Sequence, residues 1–237
     1  MEFCVIKIIT QTATFRDPDF QNFHKTLFLP PPTTIIGFAG AALGLSPKKA
    51  LEYFTEEPFL FGVYGKSGGK AKDLWKYRKK KSKSFVSDII TKEIIFFNEF
   101  YIVYGAENKK LITEIKDAFN FPYYALTLGN SDSLAKIKII KEFHFDQSSI
   151  IENAILEDNV IDKVISNPDK SLEFSIYTTS DPIVYNLPVL FDYEKDYGVR
   201  NIKKRKLFSF IGTKMKLNYS VNGIFINHIF IPLFNIQ

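Results

Sequence analysis

FLFGVYGKSGGKAKDLWKYRKKKSKSFVSDIITKEIIFFNEFYIVY, residues 59–104, sets two apolar runs around a block of positive charge. Phe59–Tyr64 and Ile94–Tyr104 are rich in aromatic and β-branched residues, which suits strands. Between them, Lys66 to Lys83 holds Lys66, Lys70, Lys72, Lys76, Arg78, Lys79, Lys80, Lys81 and Lys83 against one acid, Asp73. Gly65, Gly68 and Gly69 stand at its entry. So charged an excursion between two strands reads as a hairpin or a partly disordered finger leaving a sheet.

The segment's +8 exceeds the chain's total of +5, so the remaining residues sum to −3. The charge is one local feature and not a property of the whole surface. Trp75, the only tryptophan, and Tyr77 lie inside it. Cations neutralise phosphates and release counterions, and aromatic rings stack on unpaired bases. Lys70, Lys72, Trp75, Lys76, Tyr77, Arg78, Lys79, Lys80, Lys81 and Lys83 are therefore candidate nucleic-acid contacts. A solvated charged loop is the plain alternative; an acidic protein or a membrane surface is another. A second run, Lys203, Lys204, Arg205 and Lys206, either extends a phosphate track or forms a charged turn before a strand at Leu207–Ile211.

Outward from this block, Phe3 to Gln11 reads as a buried strand. Pro30, Pro31 and Pro32 bar a helix until Pro32, and Thr33 or Thr34 is expected to cap one from about Ile35 to Leu43, ended by Gly44. Ser46 and Pro47 start a second helix, to Phe54. Glu107 to Phe119 has helical spacing through Leu111, Ile112, Ile115 and Phe119. Tyr123 to Leu128 reads as a strand ending in Gly129-Asn130-Ser131, a turn or a phosphate-facing loop. The order β, α, β, finger, β, α, β suits a ferredoxin-like split βαβ arrangement, the architecture of RNA-binding RRM domains. The expected class is α+β: a ferredoxin-like domain over 1–140, a basic thumb inserted at about 65–90, and a mostly β subdomain over 141–237.

Other classes are disfavoured. One cysteine, Cys4, allows no internal disulfide, and it lies in an apolar run as a small core residue. The N-terminus lacks a signal-peptide pattern, and no run reaches the length of a spanning helix, so a cytoplasmic protein without membrane contact is expected. GKSGGK at 65–70 misses the phosphate-loop spacing because Ala71 follows Lys70. His24, His144 and His228 are scattered, and no metal or cofactor site is expected.

Taken together, FRDPDFQNFHKTLFLPPPTTIIGFAGAALG at 15–44 and FPYYALTLGNSDSLAKI at 121–137 resemble the CRISPR-associated RAMP proteins called "Cas five". Arg16, Pro18, Pro31, Pro32, Thr33, Thr34, Gly37, Gly40 and Gly44 fill the first element; Pro122, Tyr123, Leu128, Gly129, Ser131 and Ala135 fill the second. The resemblance implies a subunit of Cascade, the type I surveillance complex of antiviral defence, that grips the 5′ handle of the crRNA. It implies contacts with the backbone subunit and the large subunit, with target DNA nearby. It places the family's thumb on Lys66–Lys83, and it adds Arg16, His24, Lys25, Gly129 and Ser131 to the candidate RNA contacts. One subclass cuts repeat RNA without metal through a Tyr/Lys/His set. No Lys-His pair stands in the thumb sequence, so no catalytic residue is assigned; a metal-independent endoribonuclease is the alternative.

Overall fold

The computed structural model of the 237-residue chain describes residues 1–20, 23–81, 84–165 and 182–237. Its first strand, β1 (Glu2–Ala13), is apolar on both faces because both are covered. Cys4, Ile6 and Ile8 join the helix-side core, while Phe3 and Val5 pack with Ile224, Ile226 and Ile231 on the opposite side. Burial raises the Cys4 thiol to about 12, which leaves it un-ionised and inert.

Two helices follow. α1 (Pro32–Ala42) starts earlier than the sequence pattern predicts, with Pro32 in its first turn and Pro31 as an extended N-cap that has no side-chain bond. Proline's fixed φ suits that first position, where its missing N–H costs no hydrogen bond, so neither threonine is needed as the cap. α2 (Pro47–Glu56) begins as expected, the Ser46 hydroxyl accepting from Lys49 N at 3.3 Å. Gly40 lets the two helices touch: a Cβ there would lie 2.4 Å from Ala50 Cβ.

Next come β2 (Phe59–Lys66), β3 (Gly69–Lys81), β4 (Ser84–Ala106), α3 (Lys109–Asn120) and β5 (Lys136–Ile140). The strands order as β5-β1-β4-β2, antiparallel throughout. α1, α2 and α3 cover one face of this sheet. Phe54 sits fully buried among Tyr53, Phe59, Phe61 and Tyr104, with ring centroids 4.9–5.8 Å away. Truncating such a phenylalanine to alanine costs about 3–5 kcal/mol.

The strand expected at Tyr123–Leu128 is absent; that stretch is a loop, and the strand after α3 is β5. Tyr123 N donates to Ala42 O at 2.9 Å, and the Tyr123 ring covers Gly44. The apolar residues read as a strand thus dock on the end of α1, and only a Thr127↔Leu134 bridge remains of a ladder.

The rest is mostly β: β6 (His144–Ile151), β7 (Ala154–Glu157), α4 (Val160–Ile165), β8 (Ile183–Tyr193), β9 (Arg200–Ile211), β10 (Met215–Ile226) and β11 (Ile229–Phe234). β11 pairs with β2 and carries the sheet on through β10 to β6. Phe208, Phe210 and Phe234 share the core cluster of the helices. The fold is α+β with an extensive antiparallel sheet. Among the described residues no helix is long and apolar enough to cross a membrane.

Candidate nucleic-acid interface

The basic block folds as a hairpin. β3 pairs with β4 continuously from Gly69↔Phe96 to Lys81↔Ser84 and with no other described strand. At about 3.4 Å per residue this makes an arm roughly 40 Å long. β4 begins ten residues before the apolar run that marked it in sequence, because the charged arm supplies its partner.

Side chains alternate across a strand, so residues interleaved in sequence separate in space. One face carries Lys70, Lys72, Lys76, Arg78 and Lys80, with Leu74, Phe85 and Ile89 exposed among them. The other carries Asp73, Trp75, Tyr77 and Lys79, opposite Lys92, Ile90, Asp88 and Val86. There Trp75 Nε1 donates to Asp73 Oδ2 at 2.8 Å, and Tyr77 OH donates to Asp88 Oδ2 at 3.1 Å. The bond to Asp88 raises the exposed Tyr77 phenol. Lys81 is placed by its backbone pairing with Ser84, and Lys83 lies outside the described residues.

At the root of the arm the family-like elements converge. His24 N donates to Thr91 O and Glu93 N donates to His24 O, both at 2.9 Å, so His24 bridges to Lys92. Arg16 bridges to Thr26. Glu93, nearly buried, accepts from Thr26 N at 3.1 Å and pairs with Lys70 at 3.3 Å, locking residues 24–26 to the arm. Lys92 donates to Asn130 Oδ1, and its ammonium lies 4.1 Å from the Trp75 ring centroid. Burial lowers the Lys92 pKa, opposed by Asp132 and Asp73 and aided by Arg16. Burial also lowers His24, followed by the charges of Arg16 and Lys92. Lys92 escapes notice in the sequence because it falls outside the dense block. Alternation carried back from Ile94 puts it on the Ile94 and Ile90 face of β4, and the hairpin register sets that face beside Trp75.

The other candidates are spread more widely. Gly129 takes φ +99, and a Cβ there would fall 2.1 Å from Thr14 O, so this glycine is required by the backbone beside it. Ser131 is exposed on the same turn. Lys25 pairs with Asp17 at 3.5 Å and lies over Phe20. The second basic run is not a turn but part of β9, laddered to β8. Lys203 pairs with Asp192, Arg205 with Asp19 and Lys206 with Glu157, and Lys204 is exposed. The sheet face that an RRM leaves open is covered here, with Tyr64 and Tyr101 buried against β10 and β11 residues.

No protein-family model matches the chain, and no curated protein does. Among solved structures it is similar to a chain of a CRISPR RNA-guided surveillance complex, at TM-score 0.52 and 12% identity over 91% of each chain. It is also similar to a structure described as a Cas protein, at TM-score 0.37 and 15% identity over 56% of this chain and 60% of that one. A functionally uncharacterised protein from Streptococcus mutans matches at TM-score 0.31 and 11% identity, over 98% of this chain and 92% of that one. The fold is thus shared with a chain of an RNA-guided CRISPR surveillance complex.

Proposed function

We propose that this protein is a non-catalytic RNA-binding subunit of a type I CRISPR Cascade complex that grips the 5′ handle of the crRNA. The observation that carries this is the two-stranded arm: five cations share one of its faces, and Arg16, His24, Lys92 and Asn130 gather at its root. The strand order β5-β1-β4-β2, with α1 and α2 before β2 and α3 before β5, supports a ferredoxin-like domain over 1–140 with the arm as its thumb. Residues 141–237 would form the β subdomain. With Tyr64 and Tyr101 covered, RNA would be held on the arm and at its root and not on the sheet face. The backbone and large subunits would be the protein partners, with target DNA near, in the cytoplasm.

The test is reconstitution of the purified chain with repeat-derived RNA and the neighbouring subunits. Binding that steepens by roughly 0.7 log units per phosphate contact in log salt, and assembly that depends on the arm, supports the reading. Salt-independent binding, or none, overturns it.

A metal-independent endoribonuclease is the second reading, and a specific observation favours it. The fold bridges the His24 and Lys92 backbones, which no sequence neighbourhood showed, and burial lowers the Lys92 pKa from its ordinary value. General acid–base work at neutral pH needs a lysine shifted in that direction. Incubation with repeat RNA in EDTA separates the readings: a specific cut abolished by His24→Ala makes the protein an enzyme.

A further inference from the structure

Phe97 takes φ +52, a left-handed conformation rarely adopted by bulky residues, and is 72% exposed. It stands where β4 leaves the sheet to become the arm. The backbone has a clear reason for this turn. Ile95 and Phe100 both point into the helix-side core, although residues five apart on a regular strand face opposite ways. The left-handed residue between them resets the alternation. The buried Asn98 amide fixes the reset, Nδ2 donating to Ile95 O at 3.1 Å and Oδ1 accepting from the Ser67 hydroxyl at 2.6 Å.

That reason explains the φ but not the phenylalanine. Glycine or asparagine would take the same φ at lower cost, and an exposed ring adds little to the core. The neighbours also leave the ring open. In the antiparallel register Gly68 sits across from Phe97, between the pairs Lys66↔Glu99 and Gly69↔Phe96. A Cβ on Gly68 would lie 3.2 Å from Phe97 Cβ, whereas one on Gly69 would meet nothing. Neither glycine has a positive φ, so Gly68 serves by giving the ring room.

We infer that Phe97 is a stacking platform for one unpaired nucleobase at the root of the arm, distinct from Trp75, one face of whose ring is covered by Lys92. A nucleic acid is favoured over a protein partner because the site joins the cationic arm, with Lys66 and Lys70 close in register. The inference rests on the RNA-binding reading of that arm.

The test uses the full chain and a single-stranded RNA of mixed sequence carrying 2-aminopurine at successive positions. Phe97→Gly relieves the strained φ, so it should keep or raise Tm while weakening RNA binding about tenfold, within the range for one stacked base. Quenching of one 2-aminopurine position should disappear with it. Phe97→Trp should retain both binding and quenching, and Phe97→Leu should lose the quenching. If Phe97→Gly binds RNA like the wild type, the inference falls. If it also weakens co-purification with a neighbouring subunit, the ring belongs to a protein interface. A lower Tm would show that the ring is a packing residue, and Phe97→Leu then decides the stacking question. Failure of RNA binding by Lys72→Ala/Lys76→Ala/Arg78→Ala with Phe97 variants unaffected retains the arm's function and rejects the platform.

Discussion

Lys92 lies over the Trp75 ring with its ammonium 4.1 Å from the centroid, and the same ammonium donates to Asn130. One side chain thus ties the arm to the turn that follows Thr127. The two partners come from segments far apart in sequence, so the junction exists only in the folded chain. Desolvation at this spot lowers the Lys92 pKa, and an incoming phosphate would oppose that shift.

Replacing Lys92 with glutamine should therefore weaken RNA binding and lower the log–log salt slope by roughly 0.7, the value for one neutralised phosphate. Asn130 and Trp75 would lose their shared partner, so Trp75 fluorescence should change in the free protein. An unchanged slope would remove Lys92 from the phosphate path.

The separation of faces gives a sharper expectation. Lys72, Lys76, Arg78 and Lys80 share one face, and Trp75 and Tyr77 the other. Alanine at the four cations should flatten the salt slope, by roughly 0.7 for each phosphate left without its cation. Trp75→Ala with Tyr77→Ala should lower affinity with the slope intact, since stacking carries no counterions. Equal slope changes in both sets, measured by titration at several salt concentrations, would mean that RNA does not distinguish the faces.

That separation also shows how far local pattern reaches. The strands around the arm, the α2 cap at Ser46 and the buried β1 were legible in the sequence because each depends on near neighbours. Interleaving of Trp75 with Lys72, Lys76 and Arg78 was legible too, but its consequence depends on whether the segment is extended. Once it is a strand, period two sorts the residues by face. The loop at Tyr123–Leu128 reads as a strand because docking on Gly44 and Ala42 is a tertiary choice. The pairing of His24 with Lys92 spans 68 positions, and no spacing rule reaches that far.

Gly129→Val should destabilise the fold. The substitution combines an unfavourable φ of +99 with a Cβ 2.1 Å from Thr14 O, and such strain costs on the order of 1–3 kcal/mol or more. Ser131→Ala, on the exposed part of the turn, should leave Tm unchanged and report on RNA binding alone. A Gly129→Val protein with wild-type Tm would show that the turn can move away from β1.

His24 supplies a pH dependence with opposite signs in the free and bound states. In the free protein burial lowers its pKa, with Arg16 and Lys92 adding to the effect. The unfolded chain, with an ordinary value of about 6.5, then binds more protons than the folded one as the pH falls. Stability is therefore undiminished above that value and is lost as pH drops through it toward the folded pKa. A phosphate beside His24 reverses the local charge and favours the imidazolium, so RNA binding should take up a proton and tighten as pH falls from about 8 to about 6, the range around the ordinary imidazole value. His24→Gln should flatten both trends: the fall of Tm in acid, read by thermal melts, and the rise in affinity, read by titration at each pH. A wild-type affinity independent of pH would mean that no phosphate reaches His24. The RNA would then run along the arm without touching its root, and Lys92→Gln should have no effect on the salt slope either.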